Sequence, residues 1–144
     1  MDIYIDCEWN GWCGELISMA LVSADGREFY EVLGCDEPCG WVAENVMPVL
    51  NKKQVYLTVF EQHLQGYLAQ FSEVNIIADW PEDIERFCAA LIIGEGECMI
   101  TPPLSMQVVR INSYSAIPHN ALEDARGNRV AHQEDLRYES SIQR

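Results

Sequence analysis

The sequence predicts a mixed α/β fold, an antiparallel three-strand meander followed by strand–helix units whose helices cover the sheet faces. Three observations predict it. Apolar runs separated by a strong turn signal open the chain, and apolar residues then recur at helical spacing from Trp41 onward. A short, mostly apolar run, Val74 to Ala78, is followed by Asp79-Trp80-Pro81 and a stretch that continues at helical spacing.

Residues 2–8 read as the first strand and residues 15–23 as the second. Asp25-Gly26 is a tight-turn dipeptide, and Arg27 to Leu33 continues as the third strand. Gly34 to Gly40 is loop. Trp41-Val42, Val46-Met47 and Leu50 repeat at helical spacing, and a second helix runs from about Thr58 to Phe71, with Val59-Phe60, Leu64, Tyr67-Leu68 and Phe71 on one core-facing side. After the buried strand Val74 to Ala78, Asp79 suits a helix N-cap, Pro81 the first turn and Glu82 the capping-box position. That helix passes through Ile84, Phe87-Cys88 and Leu91, and Gly94 and Gly96 are expected to end it. Residues 97–118 read as loop with one short strand near Met106 to Ile111. Pro118 pushes its predecessor out of helix, and Asn120 caps a final helix with Glu123 three residues on. From about Gln133 the chain is polar and is expected to fray.

At 144 residues, 49% of them apolar, the chain has length and composition for one domain around one core. No apolar run approaches the roughly 18–20 residues that cross a bilayer. The N-terminus carries no basic segment or cleavage pattern, so the expectation is a cytoplasmic protein without a membrane partner. Six cysteines are present, Cys7, Cys13, Cys35, Cys39, Cys88 and Cys98. Only Cys35 and Cys39 are closely spaced, and no second pair or nearby histidine completes a zinc set. They read as reduced, mostly structural thiols, with Cys7 and Cys88 in apolar contexts.

Nine Lys and Arg oppose twenty-three Asp and Glu, a formal charge of −14. Such a field repels long polyanions, whose binding normally relies on a basic face. Short strands or chain ends are the nucleic acids compatible with it.

The acids are not evenly spread. Asp6-Cys7-Glu8 closes the first strand, Asp79 and Asp83 follow the buried strand, and His119 precedes Asp124 at the opening of the last helix. Carboxylates from three separated segments, with one histidine beside the last, suit a site for two divalent cations and phosphodiester hydrolysis. Hard ions such as Mg2+ and Mn2+ prefer carboxylate oxygen and water. Asp6 and Glu8 lie two apart, so on a strand they project from one face. Imidazole is the side chain best matched to taking a proton near neutral pH.

Asp6-x-Glu8-Trp9-Asn10-Gly11, then Asp79-Trp80-Pro81-Glu82-Asp83-Ile84-Glu85-Arg86-Phe87, then His119-Asn120-Ala121-Leu122-Glu123-Asp124-Ala125 resemble, in this order, the three motifs of the DEDD exonucleases in their histidine-bearing form. Glu15 to Ser18, Asp25 to Tyr30, and Trp41-Val42 with Val46, Pro48 and Leu50 add a likeness to the ribonuclease AS group of small exoribonucleases. The resemblance implies a ribonuclease H-like fold over residues 1–144. It also implies 3′-to-5′ removal of nucleotides from single-stranded or short RNA as 5′-monophosphates, a pair of Mg2+ or Mn2+ ions, and a homodimer. Position by position it implies Asp6, Glu8, Asp83 and Asp124 as metal ligands and His119 as general base. Trp9, stacking on the terminal base, with Asn10, Gly11 and Asp79, is placed against substrate. The chain departs from the pattern at Asp79, where the family has Asn, and in a short connection between the second and third motifs.

Two other classes share these features. One is a 3′–5′ DNA exonuclease with the same site, since nothing here reads a 2′-hydroxyl. The other is a catalytically silent acidic protein that binds a protein partner, supported only by the charge.

Overall fold

In a computed structural model, which describes residues 1–142, alternating burial and local turns build a five-stranded mixed sheet with helices on both faces. The meander is formed by β1 (Asp2–Trp9), β2 (Leu16–Ser23) and β3 (Glu28–Val32), paired antiparallel. Gly26, at φ +92°, supplies the left-handed turn between β2 and β3 that an L side chain resists. Next come α1 (Gly40–Asn45), a short 3-10 turn (Met47–Val49) and α2 (Leu57–Leu68). The strand β4 (Val74–Ala78) then runs parallel to β1, followed by α3 (Pro81–Ala90), a small hairpin of β5 (Ile92–Gly94) and β6 (Glu97–Cys98), β7 (Leu104–Val108) and α4 (Ala121–Ile142). The strand order is β3-β2-β1-β4-β7, with β4 and β7 parallel.

Strand β1 explains the layering. Ile3, Ile5 and Cys7 point to one face and join Met19, Leu21, Phe60, Leu64, Ile76 and Phe87 in the main core under α2 and α3. Tyr4, Asp6 and Glu8 alternate to the opposite face, where Ala20 and Val22 pack against Ala121 and Ala125 of α4. The small alanines let α4 approach the sheet closely. Among the described residues no helix is long and apolar enough to cross a membrane.

Four expectations are corrected. Trp80, not Asp79, is the N-cap of α3, with no side-chain cap bond; Glu82 accepts instead from the Trp80 indole at 2.9 Å. Gly94 and Gly96 do not end α3, which stops at Ala90; they belong to the β5–β6 hairpin, where Gly96 takes φ +72°. The short late strand covers residues 104–108, because its parallel register with β4 sets its limits. The polar segment from Gln133 does not fray: α4 continues to Ile142, each added residue gaining a backbone hydrogen bond. Gln133 donates to Ala24 O at 3.2 Å, and the Ser140 hydroxyl to Leu136 O at 2.8 Å. All six cysteines are free; Cys7 is buried, whereas Cys88 is exposed, its thiol 3.6 Å from the Met106 sulfur.

Candidate metal centre

The site gathers at the C-terminal ends of β1 and β4, where a parallel and an antiparallel neighbour flank β1 and ligands collect in open α/β sheets. Asp6 and Glu8 come from the α4-facing side of β1. The β1–β4 register pairs Tyr4 with Ile77, so two residues further along each strand Asp79 stands level with Asp6. Along α4, Asp124, Asn128 and His132 are spaced four apart, about 6 Å per step at 1.5 Å rise. Alternate β1 residues are about 6.6 Å apart, so this helix stripe keeps pace with Glu8, Asp6 and Tyr4. At its far end Tyr4 Oη and His132 Nδ1 are 3.0 Å apart.

The first helical turn of α4 is fixed as its sequence demands. Asn120 Oδ1 accepts the Glu123 N–H at 3.1 Å, and its Nδ2 donates to Val49 O at 2.7 Å. The cap thus tethers α4 to the turn after α1 and sets Asp124 against the strand ends. Asp83, on the first turn of α3, is buried (2%) beside Cys7, whose backbone N–H it accepts at 2.9 Å.

Two triads result. Asp6, Glu8 and Asp124 each offer an oxygen within 4.8 Å of the others, and so do Asp6, Asp79 and Asp83. Asp6 belongs to both. Among the described residues no Lys, Arg or His ion-pairs with any of these five acids. Their electrostatics follow. Burial, then the charges of Asp83, Asp124, Glu8 and Asp79, push Asp6 well above the ordinary carboxylate range. Burial, reinforced by Asp124, lifts Glu8 to about 7. Burial and then Asp79 lift Asp83 to about 8, opposed by the Cys7 N–H. Burial raises Asp79 and Asp124 less, the latter held back partly by the His119 N–H. A cluster this reluctant to ionise calls for compensating positive charge, and the donor set is all carboxylate oxygen, which fits hard divalent cations.

His119 stands in the left-handed region (φ 66°), a conformation His tolerates better than most residues. Its backbone N–H donates to Asp124 Oδ2 at 3.0 Å. Its ring meets Trp41 of α1 edge-on, centroids 4.8 Å apart at 82°. The imidazole is therefore held against Trp41, near enough to Asp124 to favour that carboxylate's charged form.

The residues assigned to substrate lie differently. Trp9 is half-buried against the main core with the Arg86 guanidinium 5.5 Å from its ring centroid, so packing claims part of its surface. Asn10 knits loops together: its Oδ1 accepts the Cys39 N–H at 2.8 Å and its Nδ2 donates to Glu37 O at 3.0 Å. Gly11 takes φ +62° in the turn after β1. Asp79 falls among the acids. Sequence reading missed Trp41, Asn128 and the Cys7 N–H, because only strand register and helix docking bring Trp41 to His119 and the other two to the acids. No model of a known protein family matches the chain, and no curated protein matches it either.

Proposed function

We propose that this chain is a metal-dependent 3′–5′ exonuclease of ribonuclease H-like architecture that removes nucleotides from the 3′ end of single-stranded or short RNA. The observation that carries the proposal is the pair of acidic triads sharing Asp6. The order and spacing of the three motifs support it independently of geometry.

On this reading Asp6, Glu8 and Asp124 would hold one Mg2+ or Mn2+, and Asp6 with Asp83 would hold the other. A bound pair lowers the pKa of an attacking water and neutralises charge on the leaving oxygen. The chain's own residues supply the rest. Asp6, common to both triads, would be the carboxylate that both ions call on. A ring nitrogen of His119 accepts the proton that water loses as its oxygen bonds to phosphorus. The bond to the 3′ oxygen of the penultimate nucleotide breaks, that oxygen takes a proton from solvent to become the new 3′-hydroxyl, and a nucleoside 5′-monophosphate departs. Trp41 holds the imidazole edge-on so that its approach costs little reorganisation. The acidic surface, −14 over the whole chain, disfavours long duplexes and leaves chain ends as substrate.

RNA over DNA, and a homodimeric assembly, rest on the sequence likeness. The test uses 5′-labelled single-stranded RNA and DNA of one sequence, each with Mn2+ and with EDTA. A 3′-shortening ladder on RNA in Mn2+ alone is expected. DNA cut faster than RNA assigns the DNA exonuclease instead, and silence in every lane leaves the acidic binding protein.

A further inference from the structure

One buried side chain at the site is satisfied at one end only. Asn128, on the inner face of α4, is 2% exposed. Its Nδ2 donates to Asp79 Oδ1 at 3.0 Å, while its own Oδ1 has no hydrogen-bond partner. Buried carbonyl oxygens are normally paired, and an exception at a cluster of acids marks a place where something else is accommodated. A buried amide donating to a half-buried carboxylate also fixes which way that carboxylate points. Asp79 has no competing local task, since α3 is capped at Trp80 without a side-chain bond.

The allocation of oxygens gives Asp79 its role. Asp83 uses part of its acceptor capacity on the Cys7 N–H, which Oδ1 accepts at 2.9 Å. Asp79 accepts the Asn128 amide at Oδ1 and shares a triad with Asp6 and Asp83, each offering an oxygen within 4.8 Å of the others. Hard cations need several oxygens, and on this side of Asp6 the second carboxylate makes up what Asp83 has given away. Asn128 Oδ1 is left to accept from water held at the same place.

We infer that Asp79 is a further carboxylate ligand of the cation pair, on the Asp83 side of Asp6, and that Asn128 is the positioning residue that aims it. The inference rests on the cation reading above and is tested so that the two fail separately. The measurement is Mn2+ titration calorimetry of the full chain, with wild type, Asp6→Asn, Asp79→Asn, Asn128→Leu and Asn128→Ser, each checked by circular dichroism in EDTA.

Wild type binds two Mn2+, and Asp6→Asn loses both. Asp79→Asn, nearly isosteric, weakens one equivalent by more than about ten-fold and leaves the other within about three-fold. Asn128→Leu weakens the same equivalent by about 10–100-fold, the usual effect of losing a ligand's orienting partner; if it does not fold, Asn128→Ser is read in its place. Both equivalents bound normally by Asp79→Asn overturn the assignment of Asp79 while Asp6→Asn still upholds the cation reading. Normal binding by a folded Asn128 variant overturns its positioning role. No Mn2+ bound by wild type overturns the cation reading itself and this inference with it.

Discussion

The backbone N–H of Cys7 donates to the side chain of Asp83 at 2.9 Å, so a carboxylate on α3 closes the end of β1. The parallel register between β1 and β4 stops at Tyr4 and Ile77. Past that point the strand edge facing α3 needs other acceptors, because buried N–H groups are almost always paired. Asp83 fills that need with Oδ1 and also shares an acidic triad with Asp6 and Asp79. The same residue therefore serves folding and chemistry, and substitutions can divide the two.

Asp83→Asn keeps an acceptor for Cys7 and removes the charge. The variant is expected to fold with wild-type stability in EDTA and to lose turnover. Asp83→Ala leaves the buried N–H unpaired and is expected to cost about 1–3 kcal/mol as well. Urea denaturation in EDTA alongside a nuclease assay reads both; equal stability of the two variants contradicts the bond's role.

The raised carboxylates predict a pH effect of definite sign. Glu8 near 7 and Asp83 near 8 retain protons in the folded state that the unfolded chain has released above about pH 4.5. The folded form then binds more protons than the unfolded one, so stability falls as pH rises. In EDTA the protein is expected to melt lower at pH 8 than at pH 5.5. Mn2+ binds the ionised folded form and removes the deficit at pH 8 while doing little at pH 5.5. A melting temperature that rises with pH in EDTA contradicts the electrostatics of the cluster.

His119 acts on the proton, not the metal. For His119→Ala a kcat loss of about 10²–10⁴-fold is expected, with Mn2+ affinity retained. Trp41→Ala frees the imidazole that it contacts edge-on, and a loss of up to about ten-fold follows from the worth of one aromatic contact. Loss of Mn2+ binding in His119→Ala makes the histidine a ligand instead.

Asn120 joins the α4 cap to the turn after α1. Asn120→Ala is expected to lose about 1–2 kcal/mol of stability and to weaken Mn2+ binding through Asp124, which follows the cap by one turn. Unchanged denaturation midpoints contradict the tether.

The parts of this arrangement that were legible in the sequence are those with local causes. Alternation along β1 put Asp6 and Glu8 on one face, and Asn120 with Glu123 announced the start of α4. Asp79 misled because a strand end followed by Pro81 looks like a helix cap. Its position beside Asp6 is decided by the parallel register of β1 and β4, which no local pattern carries. Asn128 carried no signal of its own: a polar residue mid-helix reads as solvated until the helix docks on the sheet and buries it. The length of α4 was missed because residues 133–142 lack an apolar stripe, yet they extend an established helix that needs no new nucleation.

Anomalous scattering from a crystal grown or soaked with Mn2+ tests the central claim most directly. Two peaks about 3.5–4 Å apart are expected, with an Asp6 oxygen touching both, Glu8 and Asp124 on one and Asp83 on the other. A fully soaked crystal with no peak at Asp6 contradicts the account, as does a single peak held away from it.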